Sequence, residues 1–370
     1  MVNYLNTREF NIKLLVIGIM LFSMPVKALV VLQQASLPID TQYDTNPRLT
    51  AKKQSIWRYS VTPTYSIAAV EDQDRWYTNA SLRVQRTSDK NLIADREDPN
   101  VDIGWQRELE RGNFSLLAHY DKRSSLLTEF ERTGLVDVDG SAINKSISAN
   151  WSRLLTERMN LSVSTQYLKT TYDGSGFFDS TTKNLSSTLS YDWSETISPF
   201  VQFSYTDFKP EGAGALSNKS KNLLLGSKFL INPNWTFSPS AGVNKVSTFG
   251  SGWVSNNNLS YIGEKSNFEG SLSRSVSPSG LGSFQKTDSL NLSYTYALSD
   301  ISKWGASYGV VKSKSLLDFE STRFSTWYSY DLTALWQMRL LLETRNQKNV
   351  NLEADGEIIG LTFTYNTPEF

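Results

Sequence analysis

From about residue 55 onward, apolar and polar residues alternate along nearly the whole chain. Trp57, Tyr59, Val61, Tyr65, Ile67 and Ala69 hold odd positions, and Trp76, Ala80, Leu82 and Val84 hold even ones. The pattern recurs at 101–105, 114–120, 147–151, 161–167, 185–193, 201–205, 223–231, 235–243, 259–261, 268–272, 290–296, 304–310, 324–332, 336–342 and 359–365. Successive side chains of a strand point to opposite faces, so each run reads as a strand with one apolar and one polar face. No stretch after residue 28 has a helical period.

The runs are about ten residues long, which suits strands tilted across a bilayer. Short turns are expected at 110–112, 156–158, 194–196, 232–234, 263–265, 299–301 and 332–334. Long loops are expected between them, at 87–99, 121–145, 170–182, 207–219, 273–286 and 346–356. A soluble sandwich would bury its apolar face against a second sheet. A membrane barrel turns that face to lipid, keeps its lumen wet and alternates short turns with long loops. Tyr, Trp and Phe crowd near the ends of the runs, where interfacial girdles belong. The expected fold is therefore an all-β transmembrane antiparallel barrel. Seventeen runs from residue 55, plus an earlier one at Leu37, Ile39, Thr41 and Tyr43, give about 18 strands. The weak pattern at 249–262 leaves 16 as the alternative.

Composition sharpens this reading. Hydrophobic residues make up 39%, below the usual range of about 45–50%. Aromatics reach 12%, which excludes a disordered chain. A barrel accommodates both values, because only every second residue of its strands must be apolar. The 37 basic and 37 acidic residues balance, so there is no nucleic-acid footprint. Without Cys and with a single His, neither a disulfide framework nor a thiolate metal site can form, and no cofactor or metal is expected. Residues 1–28 read as a signal peptide: Arg8 and Lys13 precede the apolar run 14–26, and Val26-Lys27-Ala28 offers a cleavage site. That run is too short for a spanning helix. The barrel would occupy 29–370 in the outer membrane of a Gram-negative cell.

Several motifs carry a family resemblance. They are Gln42-Tyr43-Asp44-Thr45-Asn46-Pro47, Asp98-Pro99 followed by Trp105, Arg111-Gly112 and Tyr120, and Ala149-Asn150-Trp151-Ser152 followed by Leu155-Thr156-Glu157-Arg158. Together they resemble outer-membrane barrels associated with exopolysaccharide and exosortase systems. The resemblance implies a channel or accessory barrel for polysaccharide export or surface assembly, with polysaccharide and periplasmic export components as partners. It carries over no catalytic residue. A general diffusion porin for small solutes and a surface-anchoring barrel with a blocked lumen are the alternatives. The terminal Phe370, after apolar alternation, resembles the signal read by the barrel assembly machinery, although Pro368 and the parity of Phe370 depart from that pattern.

Parity selects the residues that face the lumen. Arg58, Arg83, Arg123, Arg323, Arg339 and Arg345 should point inward with Asp102, Glu108, Asp121, Asp331 and Glu343. They come from strands near the two chain ends, which meet when a barrel closes. A basic arc could guide an anionic polymer. Opposite charges that pair across strands would explain the same residues more simply. Trp327 also has inward parity and is a candidate stacking platform for sugars. His119 lies two residues from Asp121 on the same face, so a His–Asp pair is conceivable. No nucleophile accompanies it, and the expectation is a non-enzyme. Phe177 and Phe178, in an expected external loop, could touch polymer or fold into the mouth.

Overall fold

A computed structural model describes residues 29–126, 140–174, 176–212, 217–247, 250–314, 318–349 and 352–368. The proposed leader 1–28, the loop tip 127–139 and Phe370 lie outside them.

The strands run β1 (Val30–Asp44), β2 (Ile56–Val61), β3 (Thr64–Glu71), β4 (Asp74–Thr87), β5 (Arg96–Leu109) and β6 (Gly112–Ser124). Next come β7 (Ser141–Leu154), β8 (Met159–Asp173), β9 (Ser180–Tyr191), β10 (Ile197–Pro210), β11 (Asn218–Asn232), β12 (Trp235–Val246) and β13 (Gly250–Ile262). The series ends with β14 (Ser266–Pro278), β15 (Phe284–Ser299), β16 (Ser302–Lys314), β17 (Phe319–Asp331), β18 (Trp336–Asn349) and β19 (Glu353–Asn366). Each pairs antiparallel with the next except β2 and β3, which both lie between β1 and β4, and β1 pairs with β19, from Ser36↔Asn366 to Asp44↔Ile358. The sheet closes on itself, which removes its edges.

β2 and β3 are two halves of one strand. Pro63 has no N–H to give to the ladder, so the pairing lapses there. The register does not shift across the gap. β1 pairs as Ile39↔Val61 and then Ser36↔Thr64, and β4 pairs as Val84↔Val61 and then Ser81↔Thr64. The wall is therefore an 18-stranded barrel. Within the weak stretch, Gly250–Ile262 forms β13, which removes the 16-strand alternative.

The start of β1, the end of β19 and all seven turns expected to be short lie at one end, the periplasmic end of a barrel. The turn between β3 and β4, at Asp72 and Gln73, adds to the expected set. The expected strand length needs correction. Strands other than the split pair run 12 to 16 residues (β9 and β15 mark the limits). They extend into regions read as loops, so Arg96, Asp98 and Arg123 sit on strands. Apolar alternation stops where a strand leaves the lipid, because both its faces are then wet, yet the backbone ladder continues.

The outer face is apolar. Ile39, Trp57, Ile103, Ile147, Leu225 and Val243 are among its exposed side chains. Its aromatics gather toward the periplasmic end. Trp76 stacks on Trp105, which meets Phe114 edge-on, and Trp235 contacts both Tyr261 and Phe268. Among the described residues the interior holds no continuous core. Instead, three small apolar clusters lie at the extracellular mouth.

Candidate functional site

Parity and register place the inner wall. Odd positions of β1 and β2 face lipid, so Asp40, Gln42, Asp44 and Arg58 face inward. The same rule, carried through the registers, turns Arg83, Asp102, His119, Arg123, Arg323, Trp327, Arg339, Glu343 and Arg345 to the lumen.

Barrel closure then joins residues far apart in sequence. Asp44, with 0% side-chain exposure, accepts from Arg345 Nη2 at 2.8 Å through both carboxylate oxygens and from Arg58 Nη2 at 2.8 Å. Glu343 Oε2 is 2.9 Å from Arg323 Nη2, and Glu343 Oε1 is 3.8 Å from Arg345 Nε. The result is an alternating chain, Arg58–Asp44–Arg345–Glu343–Arg323, across the closing seam. Arg345 must reach over β19, and the residue directly across from it is Gly356. A Cβ there would lie 3.1 Å from the Asn46 carbonyl oxygen. The missing side chain therefore lets the segment after β1 lie against β19.

Asp44 and Asn46 of the Gln42–Pro47 motif also fix that segment. Asn46 N–H donates to Asp44 Oδ1 at 3.1 Å, and Asn46 Nδ2 donates to the carbonyls of Thr50 and Asp355. Leu49, at φ 46°, is buried against Phe319 and Ala354. A left-handed non-glycine residue is held only by its surroundings, here that apolar contact. Beside it Ile56, Leu92, Ile93 and Leu126 form a second knot. Between these knots lies a cavity of about 30 Å³, bordered by Arg58, Arg83, Arg96 and Arg345 with Asp98. It has room for water rather than a solute. Arg96 grips both oxygens of Asp98 at 3.0 and 2.8 Å, and Arg83 stands directly across from Asp98.

Further along the wall, His119 bridges two carboxylates. Nδ1 is 2.6 Å from Asp102 Oδ1, and Nε2 is 2.6 Å from Asp121 Oδ1. With both ring nitrogens engaged, neither is open to serve as a base toward a hydroxyl. Asp121 is held also by Arg123 Nε at 2.8 Å and by Asn144, which accepts from Thr170 Oγ1 at 2.8 Å. From there the side-chain hydrogen bonds across the interior join neutral groups, with Lys228, Glu269 and Lys303 the inward charges toward the periplasmic end. Asn184 donates to Gln166, Gln202 to Ser186, Asn222 to Ser204, and Asn244 to Ser220.

The exposure of the ion pairs is uneven. Arg323 is 45% exposed while its partner Glu343 is 4% exposed. Arg123 is 58% exposed while Asp121 is 3% exposed. Arg339 is exposed as well. In the Arg323–Glu343 and Arg123–Asp121 pairs the carboxylate lies in the wall and the guanidinium stands over it toward the lumen, whereas Arg58, Arg345 and Arg96 are buried with their partners.

Trp327 lies flat. A Cβ on Gly305, directly across the strand pair, would come within 2.5 Å of its ring, and Arg339 stacks over that ring at 4.4 Å. Gly305 and Arg339 thus occupy the surfaces a sugar would need. Tyr77 over Gly104 and Phe200 over Gly226 repeat the arrangement, so inward aromatics hug the wall. Phe177 packs on Tyr172, and the Phe178 N–H donates to the Gly280 carbonyl at 2.8 Å. The segment after β8 therefore reaches the loop between β14 and β15 over the mouth. Asp44, Arg96, Asp98 and Gly356 were not among the site candidates read from the sequence. Asp44 had a usable signal, an even position on a strand whose odd positions face lipid.

No family model and no curated protein matches the chain. Among solved structures, OpdK of Pseudomonas aeruginosa, crystallised with vanillate, aligns with a TM-score of 0.53 at 9% identity, over 92% of this chain and 99% of that one. The fold is that of an outer-membrane barrel. OccAB4 of Acinetobacter baumannii aligns with a TM-score of 0.52 at 11% identity, over 92% and 98% of the two chains. The ferric enterobactin receptor PfeA of P. aeruginosa aligns at 0.52 and 8%, over 90% of this chain and 80% of its own.

Proposed function

We propose that the protein is an outer-membrane diffusion channel for small polar solutes that favours anions. The uneven exposure of its ion pairs carries this reading. A wall that buries Asp44, Asp121 and Glu343 while Arg323, Arg123 and Arg339 face the lumen gives a positive local field along that arc, even though its formal charges nearly cancel. Solvent-facing arginines exchange contacts with passing carboxylates or phosphates, whereas buried partners hold them in place. Barrels of about 18 strands are wide enough to enclose an aqueous channel, and lumen side chains tune what passes. The likeness to OpdK and OccAB4 over nearly their full lengths supports the same reading at the level of fold.

Export of an exopolysaccharide has less support. The Gln42–Pro47 motif behind that resemblance has a local task, since Asp44 and Asn46 tie the seam and the inward segment together. The flattened Trp327 offers no free sugar platform. Liposome swelling tests the channel reading. Liposomes carrying the barrel should swell faster in a small carboxylate salt than in an uncharged sugar of equal size. Equal rates would reject the anion preference, and no swelling would reject the channel.

A further inference from the structure

The outer face carries a second cationic feature, unrelated to the lumen. On β7 to β12 the outward positions toward the extracellular end include Lys145, Lys169, Lys183, Lys209, Lys219, Lys221 and Lys245. Register makes them neighbours around the wall. Lys145 stands directly across from Lys169, and Lys221 directly across from Lys245. Asp207 is paired in register with both Lys183 and Lys219. On the opposite side Lys286 faces Lys314 in the same way. Like charges directly opposite on one face destabilise a strand pair unless something neutralises them. Lys169 has Glu211 at 3.6 Å, but no described carboxylate forms an ion pair with Lys145, Lys221 or Lys245.

Depth identifies what could neutralise them. Two residues toward the periplasm on the same face stand Ile147, Tyr167, Leu185, Leu223 and Val243, all exposed apolar or aromatic side chains. The lysines therefore begin where the lipid-facing band ends, with flexible stems that lay their ammonium groups at the headgroup level. Tyr120 and Tyr205 share that level, and Lys145 Nζ lies 5.9 Å from the Tyr120 ring centre. The periplasmic ends of β8 to β12 have no such belt. Their outward residues are Leu161, Leu189, Tyr191, Ile197, Phe229 and Trp235. On β8 to β12 the cations thus mark one end only, while Arg153 of β7 and Arg107 of β5 stand singly among the outward residues of the periplasmic end.

We propose that this lysine belt is a docking surface for the phosphate groups of phosphorylated glycolipids in the outer leaflet. Each ammonium is a compact charge with three donors, and opposed pairs can share one phosphate. Attraction of this kind grows with each lysine near the surface and weakens with salt.

The test compares the wild-type barrel with a variant combining Lys145→Gln, Lys169→Gln, Lys221→Gln and Lys245→Gln. These substitutions are exposed and leave the ladder intact, and heat-modifiable gel migration checks that the variant is folded. Both proteins are placed in phosphatidylcholine nanodiscs with trace lipid A, either bisphosphorylated or dephosphorylated. Lipid A retained on the captured, detergent-washed barrel is then counted by mass spectrometry. Wild type should retain the phosphorylated form at least about tenfold over the dephosphorylated form, and the variant should lose that preference. Equal retention of the two lipids by wild type, or an unchanged preference in the folded variant, would overturn the proposal. Displacement by millimolar inorganic phosphate would also overturn it, because the site would then be one for free phosphate.

Discussion

The two arcs of the inner wall solve one problem in different ways. Both must satisfy polar groups that face inward from a sheet with a greasy exterior. The arc at the closing seam does so with charges, as Arg58, Asp44, Arg345, Glu343 and Arg323 alternate across it. The far arc uses amides and hydroxyls, as in Asn222–Ser204 and Asn244–Ser220. A neutral ladder keeps the wall wet without setting a field. A charged ladder with unequally buried members does both. Anion preference, on this account, resides in one arc, while the other mainly supplies width and wetting.

The largest contrast should be in stability. Asp44→Ala leaves Arg58 without its carboxylate and Arg345 with only Glu343 at 3.8 Å, and removing one partner of a buried ion pair costs about 3–5 kcal/mol. Asn244→Ala on the far arc should cost about 1 kcal/mol, the usual worth of a neutral hydrogen bond. Reversible urea unfolding in lipid vesicles would compare them, and equal losses would erase the distinction between the arcs. Next comes selectivity. Arg323→Gln with Arg123→Gln should move the channel toward neutrality, whereas Asn222→Ala and Gln202→Ala should leave its ion preference where it was.

A smaller effect is expected at Gly305. An alanine there would push the Trp327 ring off the wall, because its Cβ would sit 2.5 Å from ring atoms. Single-channel current should fall modestly, and an unchanged current would mean that the ring finds room elsewhere. The smallest effect concerns the segment between β4 and β5. Hydrogen bonds from Lys90 and the Thr87 N–H hold the Asp95 carboxyl below its ordinary value. A lowered carboxyl stabilises its surroundings above the ordinary value and loses that contribution as pH falls through the lowered one. Amide exchange at Leu92 and Ile93 should therefore rise on acidification and stay flat in Asp95→Asn.

The barrel itself was legible because its period of two is imposed by lipid on one side and water on the other. The same cause limits the reading. Beyond the bilayer both faces are wet and the alternation fades, so the upper turns of β5, β6 and β8 read as loops. Arg96 and Asp98 were lost to that effect. Inward parity was legible for Arg345, but its partner was not. Asp44 lies 301 residues away, and only closure of β1 on β19 brings the two together. The flattening of Trp327 depends likewise on Gly305, a cross-strand neighbour that register alone supplies. Parity alone offers cross-strand pairing as the simple explanation for the arc. The unequal burial of Arg323–Glu343 and Arg123–Asp121 emerges only from the folded wall.

The proposed anion preference rests on buried carboxylates under exposed arginines. Its most direct test is the reversal potential of the wild-type barrel in a planar bilayer under a potassium chloride gradient. The account predicts a potential of the sign set by chloride, which shrinks toward zero when Arg323 and Arg123 are replaced by glutamine. A potential of the sign set by potassium, or one that the double replacement leaves unchanged, would contradict it.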